Sequence, residues 1–427
     1  MYKGYSWAKK GRDLHLSFDF SVHDIRFHPK VVIKNVDAAS FERLAKRQLD
    51  NFVFHLGLME IPSYWKATCS PTIIVEAGFL NKEQIAWWKD LIVCGMGEFF
   101  YRNHIDFTKP NFLTITSTGS VLNSVLNLVK HPQKRVLVPV GGGKDAVVTL
   151  ELLKKAGVPV TPFVLNQKPE QKRILGLAKV GKPIIVERTI DPKLLELNRK
   201  GYLNGHTPFS AYLAFLSVLC AVVFDYKYVA LSNERSSNEG NIKYHGKIIN
   251  HQYSKSFEFE KKFRQYSKKY LAKNIEYFSF LRPLYELQIA KIFARYPKYF
   301  PAFLSCNEAN KTKSGTKKPS GKWCGKCAKC LFVWISLYPF VKEKQLVNIF
   351  KKNLFKDQAL IPLIEQLTGE RGFKPFECVG TTKESKVALA LSREKKKDHK
   401  ILNSWNTKHF LSPQFSKLLK TAMITLV

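Results

Sequence analysis

The hydrophobic rhythm of the chain changes twice. Over residues 1–130, short runs alternate apolar and polar positions, as in Leu14-His15-Leu16-Ser17-Phe18-Asp19-Phe20 and Pro71-Thr72-Ile73-Ile74-Val75-Glu76. A period of two predicts half-buried strands. An aromatic-rich stretch from Gln84 to Tyr101 predicts a helix beside them, so this region is expected to be an N-terminal α+β domain. From residue 131 to 303 the pattern alternates between strand and helix. Strands are predicted at Arg135–Val140, Pro159–Leu165, Pro183–Arg188 and Tyr228–Leu231, with helices over Lys144–Ala156, Glu170–Ala178 and Phe209–Phe224. Such alternation predicts an α/β domain with a doubly wound, mostly parallel sheet covered on both faces. Residues 304–427 hold a cysteine-bearing segment, further helical patterns and a Lys-rich tail. There the run Arg393-Glu394-Lys395-Lys396-Lys397-Asp398-His399-Lys400 reads as a solvated helix end.

The most apolar stretch, Pro208 to Phe224, is closed by Asp225 and interrupted by Ser210 and Ser217. It falls short of the ~20 residues that span a bilayer, so a buried helix is expected and no transmembrane segment. Met1 to Trp7 has no apolar region behind its charges, so no secretory signal is expected. Of the eight cysteines, Cys306, Cys324, Cys327 and Cys330 cluster, while Cys69, Cys94, Cys220 and Cys378 are scattered in apolar surroundings. This is the usage of a metal site in a reducing compartment, not of a disulfide framework, and predicts a cytoplasmic protein.

Candidate chemistry begins after the first parallel strand. Gly141-Gly142-Gly143-Lys144-Asp145 joins that strand to a helix opening at Ala146. Glycines there let backbone N–H groups approach an anion, and the helix N-terminus adds partial positive charge, so the turn suits phosphate. It is not the common P-loop, because Lys144 precedes Asp145 instead of Ser or Thr.

A second polar string, Ser232-Asn233-Glu234-Arg235-Ser236-Ser237-Asn238-Glu239-Gly240-Asn241, follows the strand ending at Leu231 and has no apolar residue to bury it. Ligands of such sheets sit outside the carboxyl ends of the strands, which favours a site over a plain surface loop. Asn250-His251-Gln252-Tyr253-Ser254-Lys255-Ser256 leads into a helix carrying Glu258 and Glu260, and Asn204-Gly205-His206 opens the apolar helix. His206 and His251 can therefore converge on one crevice, each a candidate general base near pH ~6.5. In the cysteine cluster, two overlapping Cys-x-x-Cys spacings plus the remote Cys306 supply the four thiolates of a closed, structural zinc site, with an iron–sulfur cluster as the competitor.

The glycine turn resembles the phosphate loop of the N-type ATP pyrophosphatases, with Gly141 and Ala146 standing where that pattern has serines. The ordered set Val140–Asp145, Asn204–His206, Ser232–Ser236, Glu239–Asn241, Asn250–Ser256, Trp323–Cys330 and Glu377–Thr381 resembles one family among them. These are the ATP-dependent UDP-N-acetylmuramoyl-L-alanyl-L-glutamate epimerases of bacterial wall synthesis. The resemblance implies activation of the glutamate α-carboxylate as an acyl-adenylate, removal and return of the Cα proton, and release of AMP and pyrophosphate. It implies that Gly141, Gly142, Gly143, Lys144, Ser232 and Asn233 bind ATP, with Mg²⁺ on Asp145. Acid/base candidates are His206, His251, Glu234, Glu239, Tyr253 and Lys255. Cys378 joins them as a thiol, beside its plainer reading as a buried cysteine.

The chain carries 69 Lys plus Arg against 34 Asp plus Glu, a net +35. Such an excess calls for an anionic partner. ATP and a UDP-linked muramoyl dipeptide answer part of it, since residues 241–330 alone hold 20 basic and 5 acidic side chains. A tRNA- or nucleobase-modifying ATP pyrophosphatase is the alternative, but its single-strand stacking calls for aromatics interleaved with Arg, and the basic residues here are mostly Lys. Nucleic acid is thus possible and not favoured. A non-catalytic zinc protein would leave the glycine turn and polar strings unexplained.

Overall fold

The computed structural model describes residues 1–42, 44–119, 132–394 and 398–424. Lys395 to Lys397, part of the charged run near the C-terminus, lie outside the described residues. Thirteen strands are described: β1 (Tyr2–Lys10), β2 (Asp13–Val22), β3 (Ile25–Phe27), β4 (Lys30–Ile33), β5 (Thr72–Val75), β6 (Thr114–Ser117), β7 (Val136–Pro139), β8 (Val160–Leu165), β9 (Ile184–Thr189), β10 (Tyr228–Leu231), β11 (Ile242–Tyr244), β12 (Lys247–Ile249) and β13 (Glu276–Ser279). All but β11 and β12 form one 11-stranded sheet in the order β13-β10-β7-β8-β9-β4-β2-β1-β5-β6, with β3 on β2. From β13 to β9 every pairing is parallel. The antiparallel pair β4–β9 then continues the sheet into the N-terminal strands.

The pleat explains the layers. Successive side chains of a strand face opposite ways, and in β7 the buried Val136 and Val138 enter one core while Leu137 enters the other. Leu137's core contains the helix Phe209–Val223, which packs on Lys46–Trp65 of the N-terminal region. The opposite core contains Lys144–Lys155, Pro169–Ala178, Glu286–Phe293 and Ala328–Leu337. In β2 the alternation is half-sided: Leu14, Leu16, Phe18 and Phe20 are buried, and the residues between them are only half-buried.

Counted from β7, the parallel strands run 3-2-1-4-5 across β9, β8, β7, β10 and β13. The order reverses between β7 and β10, and the crevice beyond the carboxyl ends at such a reversal is where open α/β sheets bind ligands. The glycine turn follows β7 and the Ser232 string follows β10, so both open into it.

The Gln84–Tyr101 stretch is not one helix. It forms Lys82–Gly95 and Gly97–Arg102, with Met96 between them outside helical geometry. Two glycines flank the break, and a Cβ at Gly97 would lie 3.0 Å from Ile249 Cδ1, so a larger residue there would press on the Ile249 side chain. The apolar helix Phe209–Val223 is buried, and among the described residues no helix is long and apolar enough to cross a membrane.

Candidate active site

The turn after β7 is held from both sides. Gln171 Nε2 donates to the Val140 carbonyl at 2.7 Å, and the Leu304 N–H donates to the Gly142 carbonyl at 2.9 Å. Gly142 has φ +89°, and a Cβ there would meet Glu170 Cγ at 2.8 Å, so this position demands glycine. Gly143 caps the helix Lys144–Lys155 without a side-chain hydrogen bond, leaving first-turn N–H groups for an anion. Ser232 Oγ donates to Thr149 Oγ1 on that helix at 2.9 Å, and Asn233 Nδ2 to Ser279 Oγ on β13 at 3.2 Å.

The Ser232 string is not a loop left unburied for want of apolar residues. Glu234, Ser236 and Ser237 are buried by polar bonding instead. The fully buried Arg282 donates from Nη1 to the Glu234 carbonyl at 2.5 Å and to Ser237 Oγ at 2.9 Å, while Nη2 pairs with Glu260 at 2.9 Å. This satisfied network offsets the cost of burying polar groups.

It presents Glu234 to Asp145 and to Glu286, the first residue of the helix Glu286–Phe293. Carboxylate oxygens of the three all lie within 4.8 Å of one another. Such a set suits a hard divalent cation. The buried Lys144 ammonium pairs with both Asp145 and Glu286, and Lys329 Nζ reaches Glu286 at 3.5 Å. Burial would raise the Glu286 carboxyl, but these ammonium groups hold it below the usual range. Burial and the Glu286 charge push Glu234 up, to about 7.

A second group adjoins the first through Lys255. Lys255 Nζ donates to Cys378 Sγ at 3.2 Å, and His251 Nε2 lies 3.9 Å from the same sulfur. On its other side, His251 Nδ1 meets Glu98 Oε2 at 2.5 Å, while Arg102 Nε holds Glu98 Oε1 at 2.5 Å. The His206 ring stands 4.4 Å from that of His251, with Nδ1 3.8 Å from Glu98. Cys378 therefore sits among cations, unlike the apolar setting expected of it. Burial alone would raise its thiol, yet Lys255 and His251 bring it down to about 5. Burial would lower His251, and Cys378 with Glu98 instead raise it to about 9. Burial and the His251 charge lower His206 to about 3.

Two acid/base candidates point elsewhere. The Tyr253 hydroxyl donates to Asp90 at 3.1 Å, and burial raises it far above its ordinary value. Glu239 pairs with Lys374 at 3.3 Å and accepts the Thr382 N–H at 3.0 Å, so it anchors the start of the helix Thr382–Glu394. Glu98, Glu286 and Lys329 escaped sequence reasoning. Their one signal is a charge at the first or second position of an apolar helical run, and their partners come from distant segments.

The four clustered cysteines bring their sulfurs within 4.8 Å of one another, with Cys306–Cys327 at 3.9 Å and Cys324–Cys330 at 3.7 Å. Zn–S bonds of ~2.3 Å in a tetrahedron give S–S edges of ~3.8 Å, so the donor set fits zinc. N–H groups of Lys326 and Cys330 point at Cys324 and Cys327 at 3.4 and 3.5 Å, as thiolates require. The knuckle also braces the site. The Lys329 N–H donates to Glu377, next to Cys378, at 2.6 Å, and a Cβ on Gly380 would meet Phe332 at 2.4 Å.

A glycine turn, a carboxylate trio and a cation-flanked thiol thus meet at the reversal of a mostly parallel α/β sheet, as in an enzyme. Comparison with known proteins agrees. The model of the MurL N-terminal domain matches residues 1–280, and that of the MurL C-terminal domain matches residues 302–416. The chain belongs to the MurL family. A protein of Xanthomonas oryzae pv. oryzae is 36% identical over 338 residues, 79% of this chain and 73% of that protein. One of a Micromonospora species is 36% identical over 78% of this chain and 72% of its own length. Both are named UDP-N-acetyl-alpha-D-muramoyl-L-alanyl-L-glutamate epimerase.

Proposed function

We propose that the chain epimerises the terminal L-glutamate of UDP-N-acetylmuramoyl-L-Ala-L-Glu to D-glutamate at the expense of ATP, in peptidoglycan precursor synthesis. Family membership supports the reaction. The cation-flanked thiol of Cys378, beside a phosphate-suited turn, is the observation that carries the chemistry. We read the strands β7–β10 and β13 as the sheet of an N-type ATP pyrophosphatase.

In this reading the Gly141–Gly143 turn, Lys144, Ser232 and Asn233 hold ATP, and Asp145, Glu234 and Glu286 would hold Mg²⁺, which when bound would offset phosphate charge. The substrate α-carboxylate attacks the α-phosphate; an acyl-adenylate forms and pyrophosphate leaves. The bond to AMP removes the carboxylate charge that keeps the Cα–H weakly acidic. Cys378, held as thiolate by Lys255 and His251, removes that proton. Lys255 and His251 carry the protons nearest the sulfur and are the candidates for returning one to the opposite face. Water then cleaves the adenylate, releasing AMP and the D-glutamyl product. Zinc, when bound to Cys306, Cys324, Cys327 and Cys330, would act structurally, because four protein ligands close its shell.

Incubation with ATP, Mg²⁺ and UDP-N-acetylmuramoyl-L-Ala-L-Glu, followed by chiral analysis of the glutamate and quantitation of AMP, tests the reading. D-glutamate with AMP is expected. AMP without D-glutamate would refute the epimerase while leaving ATP cleavage standing.

A further inference from the structure

A groove of about 1200 Å³ is walled in part by chain neighbours of the thiol's partners and takes no part in the chemistry above. It exceeds the roughly 300–1,000 Å³ of sites for drug-sized ligands, which suits a nucleotide-linked sugar peptide. We propose that it seats the nucleoside diphosphate end of the UDP-linked substrate; this rests on the function proposed above and adds to it a place for the substrate's phosphates and base.

Charge is the first argument. Arg235, Lys247, Lys261 and Lys408 line the groove. Among the described residues none of these four has a carboxylate within ion-pair distance. The acids on the same walls have other partners: Asp90 and Glu258 share Lys262 at 2.9 and 2.6 Å, Glu239 meets Lys374 at 3.3 Å, and the one carboxylate charge left over does not balance the four cations. The groove is therefore an unneutralised positive trough, which draws a diphosphate. Shape is the second argument. The Arg235 guanidinium lies over the Tyr285 ring at 4.3 Å, and Phe257 lines the same groove, so cation and aromatic surface for a base occur together.

Position decides between nucleotides. The lining residues Asn250 and Ser256 are the chain neighbours of His251 and Lys255, and Thr381 follows Cys378 by three positions. A substrate with its glutamate at Cys378 can extend its other end into this groove. No residue of the Gly141–Asp145 turn lines it, so ATP held by that turn occupies other ground.

Lys247, Lys261 and Lys408 are exposed, so reversing their charge spares the core. The test is calorimetric titration of the full chain and of the Lys247→Glu/Lys261→Glu/Lys408→Glu variant, at low salt, with UDP-N-acetylmuramoyl-L-Ala-L-Glu and separately with Mg-ATP. Thermal unfolding serves as the folding control. The inference expects the variant to bind the UDP-linked dipeptide at least about tenfold more weakly, with Mg-ATP affinity and melting temperature unchanged. Equal affinity for the UDP-linked dipeptide, no binding of it by the unaltered chain, or weakening confined to Mg-ATP would overturn it. Binding needs no turnover, so the two ideas fail separately. A tenfold loss in a chain that forms no D-glutamate would refute the epimerase and keep the groove.

Discussion

The Cys378 sulfur accepts a hydrogen bond from the Lys255 ammonium at 3.2 Å. Lys255 is half-buried, and both Cys378 and Glu234 favour its charged form, so it ties the thiol to the carboxylate trio. Such a thiol is a base at neutral pH, where an ordinary cysteine is not. Replacing Cys378 by Ala should lower epimerisation by about 10²-fold or more. ATP–pyrophosphate exchange driven by the same substrate should persist, because the phosphate turn is untouched. Loss of exchange in parallel with epimerisation would mean that Cys378 supports the fold instead of the proton transfer.

Glu98 should set the pH range. The proposed mechanism needs Cys378 deprotonated and His251 protonated. With the thiol lowered to about 5 and the imidazole raised to about 9, kcat/KM should fall below the first and above the second. These limits belong to the interacting pair, not to single residues. Glu98→Gln removes the carboxylate on His251 Nδ1, so the imidazolium loses support and the thiolate loses its cation. Both limbs should move inward, the alkaline one down and the acid one up. Unchanged limbs across a full pH profile would contradict the coupling.

Lys144 and Glu286 predict a stability effect. Both are buried, and each is the other's partner. Glu286→Gln leaves the ammonium with Asp145 alone, and breaking a buried pair costs about 3–5 kcal/mol. Denaturant unfolding should show a loss of that order at pH 7. A change under about 1 kcal/mol would mean that Lys144 finds an equivalent partner or water.

The cysteine knuckle predicts a metal and a mechanical role. Metal analysis should find one zinc per chain, reduced to a trace by Cys324→Ser together with Cys327→Ser. Since Lys329 on the knuckle reaches Glu286 and holds Glu377 beside Cys378, metal loss should lower the melting temperature and the epimerase rate together. Iron with a visible absorption band would replace zinc by a cluster.

Of the five parallel strands β9, β8, β7, β10 and β13, four were legible as short apolar runs bounded by turn residues, and β13 was not expected. Strands predicted at Arg135–Val140, Pro159–Leu165, Pro183–Arg188 and Tyr228–Leu231 match β7 to β10 within a residue or so at each end, and the helices between them match as closely. The convergence of His206 and His251 was expected too, and their rings stand 4.4 Å apart. Glu98 was not. It lies in Gly97–Arg102, nearly the whole chain's midpart away from its partner His251, and pairing between such segments leaves no periodic trace. The burial of Ser236 and Ser237 was hidden for a related reason: hydropathy registers apolar partners, and theirs are polar, the Glu286 backbone N–H on Ser236 Oγ and Arg282 on Ser237 Oγ.

The central claim is that the glutamate Cα proton is exchanged after ATP activates its carboxylate. Its most direct measurement is a reaction in D₂O with ATP, Mg²⁺ and UDP-N-acetylmuramoyl-L-Ala-L-Glu, read by mass spectrometry and chiral chromatography. Deuterium at the glutamate Cα of the D-product, with one AMP formed per turnover and neither seen without ATP, is the predicted result. D-glutamate formed without ATP, or AMP formed with the Cα proton retained and the glutamate still L, would contradict it.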